Sequence, residues 1–229
     1  MTSAESSRGS GRTLVLIAAL LAVLLVGAAG GMLITLAKGG TDTAPSVDSV
    51  DVGFAQDMRV HHLQAVTMAG IERDRTADPI LRGLAFDIES TQLSQSSEMA
   101  GWLTVWVQPD LPDAGAGHMK WMSEGGAHSH SDGNGGKTTG TVDRMPGMAT
   151  TDEINKLRTL TGTELDVLFL QLMLRHHQGG LEMAQYGAAH AGKGYVRNLA
   201  QKIVESQEIE ASQMRTFLAQ RGAKPLPTQ

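Results

Sequence analysis

Hydrophobic positions along the chain fall into two regimes. From Thr13 to Ala37 every residue is uncharged and most are apolar. As a helix rising 1.5 Å per residue this run reaches about 37 Å, more than the roughly 30 Å of a bilayer's hydrocarbon core. Beyond residue 50 the apolar positions recur at intervals of three and four, the signature of helices with one buried face. The pattern predicts long helices over about Val47–Ile71, Pro79–Val107, from Thr161 to near 190, and Tyr195–Arg221, with a short helix at about 151–160. Asp78 is the expected N-cap before Pro79, and Thr150/Glu153 and Thr161/Glu164 both have capping-box spacing. Gly192 and Gly194 break the chain, and Gly222 is suited to close the last helix.

These helices arise from a duplication. Phe54, Gln56, Met58, His61, His62, Met68 and Ala69 recur 115 residues later as Phe169, Gln171, Met173, His176, His177, Met183 and Ala184. The register continues without a gap through Arg82/Arg197, Ile88/Ile203, Gln92/Gln207, Met99/Met214 and Leu103/Leu218. Each repeat reads as a helical hairpin. Two hairpins bury four apolar stripes most simply as an all-α, antiparallel four-helix bundle with its halves related by an approximate two-fold.

The expected organisation is therefore a cytoplasmic tail at 1–12, an anchor at 13–37, a polar linker at 38–49, the bundle at 50–221 and a short tail at 222–229. Arg8 and Arg12 precede the apolar run, so the positive-inside rule puts the bundle outside the cytoplasm, attached to the membrane by one helix. A cleaved signal sequence, releasing a secreted bundle, is the competing reading. Gly27 and Gly31 form a GxxxG spacing, which leaves a homodimer open. Between the repeats, residues 109–149 form an insert rich in Gly, His and Met.

Composition narrows the chemistry. A net charge of -5 with pI near 5.9 excludes the basic face of a nucleic-acid-binding protein. The absence of cysteine excludes disulfides, thiolate metal sites and thiol catalysis, while twelve Met and eight His stand out among 229 residues. Met58, His61, His62 and Met68 share one arc of their predicted helix, and Met173, His176, His177 and Met183 repeat it. If these two helices pack together, four imidazoles and four thioethers point into one region, a donor set suited to copper and above all to soft Cu(I). His62 and His177 lie 100° from their neighbours and read as outer or alternative ligands. The competing reading is that Met fills core gaps and His is a hydrogen-bonded core residue.

In the insert, His118, Met119, Met122, His128 and His130, with Met145 and Met148, form a secondary candidate set. His190 reads as a residue of a helix C-terminus. No Glu-x-x-His, His-Glu-x-x-His, phosphate loop or Gly-x-Ser-x-Gly occurs, so the sequence points away from an enzyme, a ferritin-like redox activity being the one enzymatic alternative. Glu89, Glu98, Glu205, Glu208 and Glu210 do not recur as acidic pairs at the 115-residue offset and read as solvated helix faces.

The segments FAQDMRVHHLQAVTMA and FLQLMLRHHQGGLEMA resemble the domain of unknown function 305 family, which includes copper-binding CopM-like members. MPGMATTDEINKLRTLTGTELDVLFLQLMLRHHQGGLEMA is similar to that family's most characteristic stretch. The resemblance covers about residues 50–221 and implies a ferritin-like bundle, a secreted or membrane-anchored location, and copper binding in some members. Its motif positions fall on the eight His and Met residues of the two arcs. The expected function is extracytoplasmic copper binding for tolerance or delivery. The alternative is a tethered structural or interaction bundle with no physiological metal. Imidazole binding is expected to fade below its ordinary pKa of about 6.5.

Overall fold

A computed structural model describes residues 7–38, 43–112, 115, 117–122 and 142–227. The chain divides into two units, Met1–Thr43 and Ala44–Gln229. The first carries α1, Ser7–Lys38, whose Leu14–Met32 stretch is long and apolar enough to cross a membrane and has no buried residue.

Among the described residues the second unit holds five α-helices: α2 (Val50–Arg75), α3 (Pro79–Val105), α4 (Thr151–Thr159), α5 (Gly162–His190) and α6 (Gly194–Gln220). The long ones form the expected antiparallel bundle, with α2 packed on α3, α5 on α6, and the hairpins joined through α2 and α5. Ser49 caps α2, which starts three residues later than its apolar pattern predicts. Asp78 Oδ1 accepts from Ile80 N–H at 2.8 Å, so the expected cap of α3 is in place. At Thr150 both bonds of the capping box form, but Thr161 makes no side-chain cap bond. Gly162, the next residue, has φ +57°, a left-handed start that carries the Thr161 hydroxyl away from the helix amides. A 3-10 turn at Lys120–Met122, in the insert, was not legible in the pattern.

The two-fold of the repeat is visible in individual bonds. Asp51 accepts from the amides of Gly192 and Lys193 in the turn of the second hairpin, at 2.9 and 2.7 Å. Its counterpart Asp166 accepts from Thr76 Oγ1 in the turn of the first, at 2.8 Å. Each hairpin thus begins with a carboxylate that fastens the other hairpin's turn. Gln56 Nε2 donates to Pro109 O, and Gln171 Nε2 to Lys224 O, again at equivalent positions. Val107 and Gly222, equivalent residues past the helix ends, share a left-handed backbone at φ 57° and 65°.

The first turn also buries a carboxyl group. Glu72 is fully buried, and burial and then the Asp166 charge push its pKa up to about 8. A carboxyl raised in the fold above its ordinary value contributes stability that is complete below the ordinary range and is lost as pH rises through 8. Glu72→Gln should therefore leave stability near pH 4 close to the parent's and flatten the decline between about pH 5 and 8. Thermal unfolding across that range checks this, and a parallel decline in both proteins would refute it.

Candidate metal centre

The helices α2 and α5 cross where the two-fold relates them. His176 Nε2 donates to the backbone oxygen of His61, its own counterpart 115 residues earlier, at 3.0 Å. The rings of His61 and His176 lie 3.7 Å apart between centroids. Only residues beside a two-fold axis can touch their own equivalents. The axis therefore passes through this pair.

Each of the four histidines of the two arcs is buried, and each uses Nε2 against an oxygen. His61 donates to Pro146 O at 3.3 Å, His62 to Gln95 Oε1 at 2.8 Å, His176 to His61 O, and His177 to Glu210 Oε2 at 2.5 Å. An oxygen acceptor requires the hydrogen on Nε2, so in the neutral ring Nδ1 keeps its lone pair. All four Nδ1 atoms are buried and have no hydrogen-bond partner. Gln92 and Gln207, another repeat pair, likewise leave both amide atoms buried and unbonded. Leaving a buried polar atom unpaired costs about 1–3 kcal/mol, a cost that an apolar core of the same shape would avoid. A donor set of this kind fits a bound ion better than it fits simple packing. Metal-binding imidazoles hold their second nitrogen against a carbonyl or carboxylate in this way.

Burial is the main reason His61, His62 and His176 stay uncharged. It lowers His61 to about 3, with the neighbouring His62 adding to the effect and the Pro146 carbonyl opposing it. Burial lowers His62 to about 4 against its hydrogen bond to Gln95, and it holds His176 well below the ordinary imidazole value. The sequence expectation that imidazole binding fades near pH 6.5 is corrected accordingly. Protons compete for these lone pairs only at lower pH while the fold persists.

The thioethers do not join the imidazoles as one group. Met58 and Met183 lie in a buried apolar cluster with Met99, whereas Met68 and Met173 lie in a separate one with Met214. The crossing at His61 and His176 puts one such cluster on each side of the histidine layer. Among the described residues no three His, Asp or Glu side chains converge as a ready-made metal site. By donor chemistry, imidazole nitrogen and thioether sulfur suit a soft ion better than a hard one that needs several oxygen ligands.

The insert docks onto the same region. Asp57, next to Met58, accepts from His118 Nδ1 at 2.7 Å, Met119 N–H at 2.7 Å and Trp121 Nε1 at 2.8 Å. His118 and Val142 pair their backbones in a single antiparallel bridge. Met119, Met122 and Met145 are buried in the Met58 cluster, with Met148 half-buried against it. His128 and His130 lie outside the described residues. Residues 145–149 cross the bundle as a strap. Gln64 holds Ala149 by two hydrogen bonds, and Pro146 O meets His61. A Cβ at Gly179 would lie 2.1 Å from Pro146 O, so only glycine admits the strap there. Arg175 follows with paired bonds to Glu153 at 3.0 and 2.7 Å, fixing α4 beside it.

Several of these partners escaped the sequence. Glu210 reads there as a solvated side chain, but its carboxylate is largely buried on His177. The available signal was that Gln95 occupies the same repeat position, since Gln and Glu offer the same acceptor oxygen. Asp57 carried no motif. His190 ends α5, exposed, with its ring 4.3 Å from that of Tyr186.

The pattern of the family described as domain of unknown function (DUF305) matches residues 51–218. The structure is similar to that of a DUF305 protein from Streptomyces coelicolor, at 43% identity and TM-score 0.68, covering 80% of this chain and 99% of that one. A DUF305 fragment from Deinococcus radiodurans is 29% identical with TM-score 0.59, over 78% of this chain and 99% of the fragment. CopM in its Cu(I)-bound form shares the fold at 22% identity and TM-score 0.54, over 74% and 96%. No curated protein matches the chain.

Two outcomes follow from the geometry. His61 and His62 drop in the fold to about 3 and 4, whereas the unfolded chain takes up these protons near 6.5. Stability is then complete above about 6.5 and is lost as pH falls toward 4 and 3, because the unfolded state binds more protons. Chemical denaturation between pH 7 and 4 should show this fall, and H61Q/H62Q should reduce its slope. Gly179→Ala should displace the strap and raise amide exchange over 145–149 while α2 and α3 stay protected. Unchanged exchange there would show that the contact is not restrictive.

Proposed function

The chain belongs to the DUF305 family, and on that premise we propose that its bundle is a copper-binding module, preferring Cu(I), that works in copper tolerance or delivery. The observation that carries this reading is the set of four buried, unpartnered Nδ1 atoms on His61, His62, His176 and His177. Each ring is already oriented by an oxygen on its other nitrogen. Met58, Met183, Met68 and Met173 flank the layer and supply soft sulfur. That CopM has been obtained with Cu(I) and with Cu(II) bound supports the choice of metal at the level of a shared fold.

In this reading the ion is cargo, and no reaction is assigned to the site. The imidazoles bind it, the apolar clusters exclude water, and the strap closes the layer over His61. Met119, Met122, Met145 and Met148 form a secondary set of sulfur donors beside the Met58 cluster, with His118 fixed by Asp57 as its outer partner. The apolar α1 would hold the bundle at the outer face of the cell membrane, or direct its export if it is removed.

Replacing His61 and His176 together with Gln tests the assignment. The double variant should lose about two orders of magnitude or more in Cu(I) affinity, since outer-shell partners alone are worth about 10–100-fold. Far-UV circular dichroism should remain that of the parent. Parent-like binding by the variant would move the site to the insert methionines. If the parent itself fails to bind Cu(I) or Ag(I), the bundle is a structural or interaction module instead.

A further inference from the structure

Positions 95 and 210 are equivalents in the repeat, and both accept the Nε2 hydrogen of the second histidine of a His–His pair. In one half the acceptor is the amide of Gln95, and in the other it is the carboxylate of Glu210. The shared oxygen gives His62 and His177 the same tautomer. The difference between the halves is therefore one of charge alone. Of the four rings, His177 is bonded to a carboxylate, while the others meet an amide and two backbone carbonyls.

We infer that Glu210 is the charge-compensating positioning residue of the histidine layer and matches it to a monovalent cation. This deepens the metal reading above and rests on it. An imidazole that coordinates an ion through Nδ1 is neutral, so as ligands these rings and the neighbouring thioethers bring no charge to the layer. A monovalent ion there is balanced by the Glu210 carboxylate, conveyed through His177, and the buried assembly is neutral. A divalent ion in the same place leaves a net positive charge in a dry core, which is costly unless a second anion is present. Gln95, standing where that second anion would stand, withholds it. Glu210 itself keeps 16% of its side chain exposed, so the compensating group sits at the edge of the core and not within it.

The test uses the full chain in nanodiscs, with Ag(I) as the monovalent probe and Zn(II) as the divalent one. Glu210→Gln keeps an oxygen on His177 and removes only the charge. It should weaken Ag(I) binding about 10–100-fold. Gln95→Glu should raise the Zn(II) affinity relative to Ag(I), and the exchange Q95E/E210Q should return both affinities toward those of the parent. Nitrogen-15 spectra of the metal-free proteins should show His177 protonated at Nε2 in parent and E210Q alike, separating lost charge from lost geometry. Parent-like Ag(I) and Zn(II) affinities in E210Q and Q95E would overturn the inference while leaving the metal site standing. A parent that binds no Ag(I) would overturn both.

Discussion

The close crossing of α2 and α5 is the constraint on which the rest of the bundle depends. At that crossing the rings of His61 and His176 meet at 3.7 Å, tilted by 34°, and one bonds the other's backbone. Gly180 makes the approach possible, because a Cβ there would lie 2.8 Å from His61 Cε1 and 3.1 Å from Gln207 Oε1. The first repeat has Ala65 at the equivalent position, so the space is opened on one side of the axis only. Once the helices meet at this level, everything else is set by distance along them. Residues one turn before and two turns after the histidines fall into apolar clusters above and below. Asp51 and Asp166, near the helix starts, reach the turns of opposite hairpins.

Most of the fold was legible in the sequence because a 3.6-residue period, repeated at a constant offset, leaves few other arrangements. The four long helices, the short one at 151–159 and the hairpin pairing all follow from it. What the period does not contain is the height at which two helices cross. His61, His62, His176 and His177 could be gathered from spacing alone, but Met58 and Met68 could not be assigned to different clusters without that height. Glu210 was hidden for a different reason. A search for repeated acids passes over a pair in which one member is Gln, although Gln95 and Glu210 fill the same acceptor position. The two capping-box spacings make a similar point. Thr150 forms its box and Thr161 does not, since the conformation of Gly162 is a property of the connecting chain and not of the four-residue pattern.

Duplication supplies a symmetric frame within which the two halves differ in detail. Backbone positions are conserved across the repeat even where the residues differ. Val107 adopts the left-handed conformation that Gly222 adopts freely, at a cost of about 1–2 kcal/mol for a residue with a Cβ. The strap at 145–149 is an asymmetric feature of another kind. It occupies the side of the crossing where Gly179 and Gly180 lie, and its carbonyl takes the hydrogen of His61. His176 instead takes its acceptor from α2. The two central imidazoles are thus held by different parts of the chain, one by the core and one by a segment that could be withdrawn without breaking a helix.

Burial gives this arrangement a chemical consequence that exposed histidines would not have. An imidazole in water loses its lone pair to a proton near pH 6.5. His61 and His62 retain theirs to about pH 3 and 4, because charging them would require solvating a cation inside a methionine-lined core. On the copper-binding proposal, the same core that rejects a proton would admit a soft metal ion. Both are cations, so charge alone does not separate them. They differ in softness. Thioether sulfur offers almost nothing to a proton and a great deal to a soft ion. Flanking the imidazoles with Met58, Met183, Met68 and Met173 would then let the layer exclude protons by desolvation while remaining open to an ion that sulfur can stabilise. Neither the histidines nor the methionines alone would achieve that discrimination.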